Sequence, residues 1–172
     1  MFPLKEIAIK TCIVVFALAT LASCGYQLVR EKGIYGGDIA SLSVPIFKNI
    51  TYEPHASLYV TEAFTRELVT TGLFKINKED SDGYLTGVIK SIKITPSSMD
   101  KTGVVVEKNV AIDVDISLYR KNGGFIKKWN FSEFEIYRVD DLAFEDFNKR
   151  EAISRLSRRM ARKFSSVMMI DY

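Results

Sequence analysis

The chain has 172 residues, a formal net charge of +3 and a single histidine. This length suits one domain with a full hydrophobic core. A charge so close to balance gives no reason to expect nucleic-acid binding. With one histidine and no Gly-x-Ser-x-Gly segment, the sequence gives little support to an enzyme, and it predicts no cofactor and no metal site.

The first 23 residues have the pattern of a signal peptide. Lys5 and Lys10 provide positive charge, and the apolar stretch 12–19 is too short to cross about 30 Å of hydrocarbon as a helix. Leu21-Ala22-Ser23-Cys24 resembles the lipobox of bacterial lipoproteins, which predicts cleavage before Cys24 and acylation of its thiol. In the alternative interpretation, Cys24 is a small residue near an ordinary cleavage site. Cys12 would leave with the signal peptide, so acylation of Cys24 would leave no thiol for a disulfide.

Residues 24–38 are predicted to form an acylated N-terminus and tether. Gly25 follows the cysteine where an aspartate would favour the inner membrane, so general lipoprotein sorting favours the outer membrane. The tether can extend at most roughly 50 Å. The remaining residues, 39–172, are predicted to form a single lipid-anchored periplasmic domain.

The domain begins with a short strand and a helix. Apolar and polar residues alternate over 42–46, and Pro45 places that strand at a sheet edge or close to its own end. A turn-rich link follows over 48–54. Apolar residues at helical spacing then predict a helix over 56–71, with Gly72 as its C-terminal cap.

Three longer strands follow. A polar loop over 77–83 leads to a strand over 84–95, whose register the pattern leaves open. The alternation from 104 to 118 predicts a half-buried antiparallel strand. Asn122-Gly123-Gly124 predicts a hairpin turn into a strand over 125–138.

That last strand changes parity near Ser132, which favours either a bulge there or a strand covered on both faces. A final helix over 144–169 carries an apolar stripe of Ile153, Leu156, Met160, Phe164 and Val167. The order β-α-β-β-β-α predicts an α+β two-layer sandwich, in which a four-stranded, mostly antiparallel sheet has both helices on one face.

Several lysines are candidates for binding phosphate. Lys90 and Lys93 lie on the predicted second strand, and Lys101 lies at the tip of the following hairpin. An ammonium group on such a loop offers charge without rigid geometry, so Lys101 is the preferred candidate. The basic residues of the final helix indicate either a solvated face or a surface for an anionic partner: Arg150, Arg155, Arg158, Arg159, Arg162 and Lys163.

Two acidic segments invite a catalytic or metal-binding interpretation. Asp113 and Asp115 project from one strand face about 6 to 7 Å apart, a separation compatible with paired-carboxylate hydrolysis or with two solvated acids. The segment Asp80-Ser81-Asp82-Gly83 resembles half of a calcium loop. It lacks the later ligands, including the terminal glutamate, which favours an ordinary turn.

An ordered set of short segments is similar to the LptE family of lipopolysaccharide-assembly lipoproteins. The segments are Cys24-Gly25-Tyr26-Gln27-Leu28, Val44 to Pro54, Leu68 with Gly72 to Ile76, Leu85 to Ile89, and Arg150-Glu151-Ala152. The resemblance implies a non-enzymatic protein with two helices on a four-stranded sheet. It also implies a partner, the LptD-like outer-membrane β-barrel, whose lumen the lipoprotein plugs while lipopolysaccharide moves to the cell surface.

The segment from Pro45 to Thr51 also resembles other periplasmic lipoproteins. These activate cell-wall synthases or support a secretion pore, and they provide the alternative function. The absence of a second domain and the short tether favour the first resemblance.

Overall fold

The computed structural model describes residues 39–77, 79–139 and 141–170. Its strands are Ser41–Ser43 (β1), Lys48–Asn49 (β2), Lys75–Ile76 (β3), Gly83–Met99 (β4), Val105–Arg120 (β5) and Phe125–Arg138 (β6). Its helices are Ala56–Thr71 (α1) and Glu145–Ile170 (α2), and a single 3-10 turn, Leu142–Phe144, precedes α2.

The described strands form one mixed sheet in the order β3-β1-β4-β5-β6, with β2 also paired to β4. Among the three long strands, β5 pairs antiparallel with both β4 and β6, whereas β1 and β2 pair in parallel with the other side of β4. The predicted α+β class is confirmed, but the predicted four-stranded, mostly antiparallel sheet is six-stranded and partly parallel in the described residues. β2 lies in the segment predicted as a turn-rich link, and both β2 and β3 have two residues, too few to show alternation.

One face of the sheet carries the core. Most of the alternating residues predicted to be buried are inaccessible to solvent: Val110, Ile112, Val114, Ile116 and Leu118. Val104, at the start of the predicted alternation, is instead exposed and lies before β5. Both helices cover this face through a chain of aromatic rings. Phe164 of α2 lies 5.4 Å from Phe64 of α1 and 5.2 Å from Trp129 of β6, measured between ring centroids.

The first helix has the predicted bounds. Gly72 adopts a left-handed φ of 63° and donates its N–H to the carbonyl of Val69, which ends the helix as expected from the sequence. Phe47 lies in the segment between β1 and β2, and its buried ring packs directly on Gly87 of β4. The backbone N–H of Phe47 donates to the hydroxyl of Thr61 at 2.9 Å, which fastens the chain before β2 to the helix.

The two helices run in the same direction. Near their starts, Lys149 of α2 lies 3.1 Å from Glu53, just before α1. Near their ends, the hydroxyl of Ser165 donates to Glu67 at 3.0 Å. Among the described residues, neither helix is both long and apolar enough to cross a membrane.

Neither interpretation of β6 proved right. Its register against β5 shifts between Leu118 and Tyr119, whereas pairing through Ser132 is regular. Phe134 is exposed on the face of the sheet away from the helices. Glu133 and Glu135 occupy the helix-facing positions in this part of β6 and bind basic residues of α2. The apolar residue between them, Phe134, therefore lies on the opposite face of the sheet.

Candidate functional site

The tip of the β4–β5 hairpin is an ordered loop held by Asp100. One carboxylate oxygen of Asp100 accepts hydrogen bonds from the Thr102 hydroxyl at 2.6 Å, the Thr102 N–H at 2.8 Å and the Val104 N–H at 3.0 Å. These bonds, that of the Thr102 hydroxyl first, lower the pKa of Asp100. Gly103 supplies the left-handed φ of 85° that the turn requires.

This loop presents Lys101 to solvent between two apolar side chains. Met99 and Val104 are each 59% exposed, and Lys101 makes no ion pair with any residue that the structure describes. A free ammonium beside exposed apolar groups can bind an anionic amphiphile, since the charge and the acyl or sugar portion each find a contact.

The other two candidate lysines lie elsewhere. Lys90 forms an ion pair with Asp115 at 2.9 Å, and Lys128 pairs with the same carboxylate at 2.7 Å. Lys93 is exposed on the same strand, roughly 20 Å from the hairpin tip by strand rise. The three lysines therefore do not converge on one site, and of the three only Lys101 lies at the hairpin tip.

The acidic pair on β5 lies on one face of the sheet, as its parity predicts. Hydrogen bonds from Ser132 and then Ser91 lower the pKa of Asp113. Burial raises the pKa of Asp115, but the bonds from Lys128, Lys90 and Asn130 together outweigh burial and lower it. Paired-carboxylate hydrolysis needs one carboxyl with a raised pKa as general acid. Neither aspartate meets that requirement.

The segment resembling a calcium loop has a structural role. Asp82 accepts hydrogen bonds from the backbone N–H groups of Ala40 at 3.1 Å and Ser41 at 2.9 Å, and from the Ser41 hydroxyl at 2.8 Å. Its carboxylate is thereby committed to holding the start of β1. Within the described ranges, no group of three or more His, Cys, Asp or Glu side chains is arranged to hold a metal ion.

The basic residues of α2 divide into two sets. Three of them face β6 and bind its two glutamates: Arg155 pairs with Glu135, Lys163 with Glu133, and Arg159 with both. The others, Arg150, Arg158 and Arg162, face solvent. From the sequence, the whole run was predicted to face solvent or a partner, because the glutamates are 20 to 30 residues away along the chain.

Cys24 and the rest of residues 1–38 lie outside the described residues. The signal peptide, the acylation of Cys24 and the tether over 24–38 therefore stay predictions, as does the extent of the domain over 39–172.

Comparison with known proteins gives the family. A model of the LptE family, described as lipopolysaccharide-assembly, matches residues 39–167. Solved structures with a similar fold include a candidate lipoprotein from Caulobacter crescentus CB15, 15% identical over 71% of this chain and 86% of that chain, with a TM-score of 0.53. Another is a Chlamydia trachomatis protein, 9% identical over 80% of this chain and 96% of that chain, with a TM-score of 0.51.

At these identities the structures support the fold alone, and no curated protein sequence matches significantly. The family match is of a different kind, since it extends over most of the chain and includes both helices up to residue 167 and all six strands. The chain belongs to the LptE family of lipopolysaccharide-assembly proteins.

Proposed function

We propose that this chain is an outer-membrane lipoprotein that helps deliver lipopolysaccharide to the cell surface without catalysing a reaction. The family match over 39–167 is the observation that carries this proposal. The lowered pKa values of Asp113 and Asp115 are consistent with it, since they argue against the acid catalysis that this pair could have provided.

The proposed partner is an LptD-like β-barrel, with this domain inside its lumen. A barrel wide enough for a glycolipid would leak unless filled, and a rigid domain with a polar surface can fill it without entering the lipid. Two helices and a six-stranded sheet around one aromatic core provide such a body. Acylation of Cys24 would hold it at the inner leaflet and raise its effective concentration near the barrel.

Lys101 is the proposed contact for lipopolysaccharide phosphates. Its exposure at an ordered tip, beside the apolar side chains of Met99 and Val104, supports this role. Lys93 and Lys90 lie farther along β4 and would meet more distant parts of the same large glycolipid, Lys93 more readily because Lys90 is already paired with Asp115.

Three measurements test the proposal. The tagged full chain should copurify a large β-barrel from detergent-solubilised outer membranes, identified by mass spectrometry. An abundant unrelated lipoprotein is the control, and recovery of no barrel would contradict the proposed partner.

Palmitate labelling should mark the wild-type chain, whereas the Cys24→Ser variant should stay unlabelled. An unlabelled wild type would contradict the proposed lipid anchor.

Depletion of the protein should reduce the amount of lipopolysaccharide at the cell surface. An isolated cell-wall or fibre defect would instead support the alternative function.

A further inference from the structure

Within the ranges that the structure describes, the outer edge of β6 is covered along only half of its length. β6 is the last strand of the sheet and pairs only with β5. In its second half, side chains of α2 reach over the edge: Arg159 donates to the carbonyl of Phe134, and Asn148 donates to the carbonyl of Arg138 at 3.1 Å. The even-numbered residues of β6 therefore direct their backbone groups outward.

Among the described residues, no strand pairs with the outward backbone groups in the first half of the edge. Because pairing with β5 is regular from Lys127 to Arg138, the same alternation turns the N–H and C=O groups of Lys128, Asn130 and Ser132 outward. No residue in the described ranges accepts from or donates to these outward backbone groups. Such a row of unpaired groups is a template for one more strand.

A groove lies beside this open half, on the helix side of the sheet. Its volume is about 410 Å³, and it is lined by Phe131, Arg159, Arg162, Lys163, Ser166 and Val167. The ring of Phe131 belongs to the open half of β6 and forms part of the floor. A strand added next to it would project alternate side chains into the groove, since neighbouring strands share the same alternation.

The rim of the groove carries excess positive charge. Arg159 and Lys163 share Glu133 as a partner, and Arg162 makes no ion pair within the part of the chain that the structure describes. This charge favours an acidic occupant. A second copy of the chain would bring the same basic groove and Lys128 against this one, which disfavours self-pairing.

We propose that the edge from Lys128 to Ser132 binds an extended acidic segment of another protein. The segment adds a strand to β6 through backbone hydrogen bonds, and its groove-facing acidic side chains bind Arg162 and Lys163. This site is on the opposite side of β5 from the outer edge of β4, and it does not depend on the proposed role of Lys101.

The backbone pairing is tested with the full chain in detergent and a synthetic acidic peptide of alternating Glu and Val. Binding should slow hydrogen exchange at the amides of Lys128, Asn130 and Ser132. Asn130→Pro removes the central outward N–H without removing a bond to β5, and should weaken binding by about tenfold or more. Asn130→Ala, which keeps that N–H, should bind within about twofold of the wild type.

Equal binding by Asn130→Pro and Asn130→Ala would overturn the pairing. Both variants are first checked by circular dichroism and urea unfolding. If Asn130→Pro does not fold, the exchange protection in the wild-type chain decides instead, and no slowing at the three amides overturns the proposal.

The charge requirement has a matched pair of variants on one helix. Arg162→Glu should weaken binding of the acidic peptide by about tenfold at low salt, whereas Arg158→Glu, one turn earlier and outside the groove, should change it little. A Lys-Val peptide should not bind. If vesicles containing phosphatidylglycerol bind in an Arg162-dependent manner and the acidic peptide does not, the groove takes a lipid headgroup and the proposal is wrong.

These outcomes are separate from those for the lipopolysaccharide role. Lys101→Glu should leave acidic-peptide binding unchanged, and Asn130→Pro should leave lipopolysaccharide binding unchanged.

Discussion

The guanidinium of Arg159 lies 2.6 Å from the carboxylate of Glu135 and joins the middle of α2 to β6. The same guanidinium lies 3.3 Å from Glu133, and Lys163 holds that glutamate from the next turn of the helix. Both glutamate side chains are at least four-fifths buried, at 16% and 20% exposure. The acidic residues at this level of the helix-facing side of β6 are therefore partners of α2.

Removing Arg159 should destabilise the domain. Arg159→Ala leaves two mostly buried glutamates with one cation each, and we expect a loss of about 1 to 2 kcal/mol in the free energy of unfolding, measured by urea denaturation. Arg158→Ala, one residue away and facing solvent, should change it by less than about 0.5 kcal/mol. Equal effects of the two substitutions would show that the ion pairs to β6 contribute nothing.

The same cluster predicts how stability depends on pH. Burial raises the pKa of Glu133, but Lys163 and Arg159 outweigh it, and the pKa of Glu135 is lowered in the same way by Arg159 and Arg155. A carboxyl whose pKa is lower in the folded state stabilises the fold above its unfolded pKa, near 4.5. That stabilisation is lost as the pH falls through the folded pKa.

We therefore expect the free energy of unfolding to decrease as the pH falls below about 5. In the double variant Glu133→Gln, Glu135→Gln the decrease should be smaller, because two of the titrating groups are gone. Urea titrations at a series of pH values measure both slopes. Parallel slopes for the wild type and the double variant would contradict the lowered pKa values.

Gly87 is required by the close approach of the Phe47 ring. A Cβ at this position would overlap that ring, which is buried and cannot move freely. We expect Gly87→Ala to reduce the free energy of unfolding by about 1 to 3 kcal/mol. In the Phe47→Leu background the same change should be less harmful, and a double-mutant cycle measures the difference. An equal loss in both backgrounds would show that the ring is not the cause.

Asp100 should control the order of the hairpin tip. Asp100→Ala removes the acceptor for the N–H groups of Thr102 and Val104, so hydrogen exchange at these amides should become faster. The thermal unfolding midpoint should change little, because the loop is exposed. Unchanged exchange would show that the backbone turn alone, through the bond from the Asp100 N–H to the Val104 carbonyl, keeps the tip ordered.

Lys101→Glu should weaken lipopolysaccharide binding without unfolding the domain. Reversing an exposed charge should repel phosphate, and the free energy of unfolding should change by less than about 0.5 kcal/mol. The matched control is Lys75→Glu, which makes the same change at an exposed position on β3, at the far end of β4 from the tip. Equal binding by the two variants would remove Lys101 from the site.

The sequence predicted the elements with strong local signals. Helix α1 and its Gly72 cap follow from helical spacing and a glycine at the right position, and β5 follows from its regular alternation. The two-residue strands β2 and β3 could not be predicted, because they form only through pairing with β4 and β1. Their existence depends on contacts that a local pattern does not contain.

The candidate site was predictable only in part. Lys101 was placed at an exposed hairpin tip from its flanking glycine, and the structure places it there. The pairing of Lys90 with Asp115 was not predictable, because the sequence pattern left open the register of β4, which sets Val88 opposite Asp115 and so places Lys90 on the same face. Similarly, the glutamates of β6 are recognisable as partners of α2 only once the fold brings them together.

Because β2 ends at Asn49, the last ten residues of β4 have no strand on their outer side within the described part of the chain. On its inner side this stretch is paired with β5, which is itself paired with β6 from Glu107 onwards, so the hairpin stays within the sheet almost to its tip. One continuous strand, β5, therefore connects the tip to the aromatic centre of the domain, where Val114 and Ile116 pair with Phe131 and Trp129.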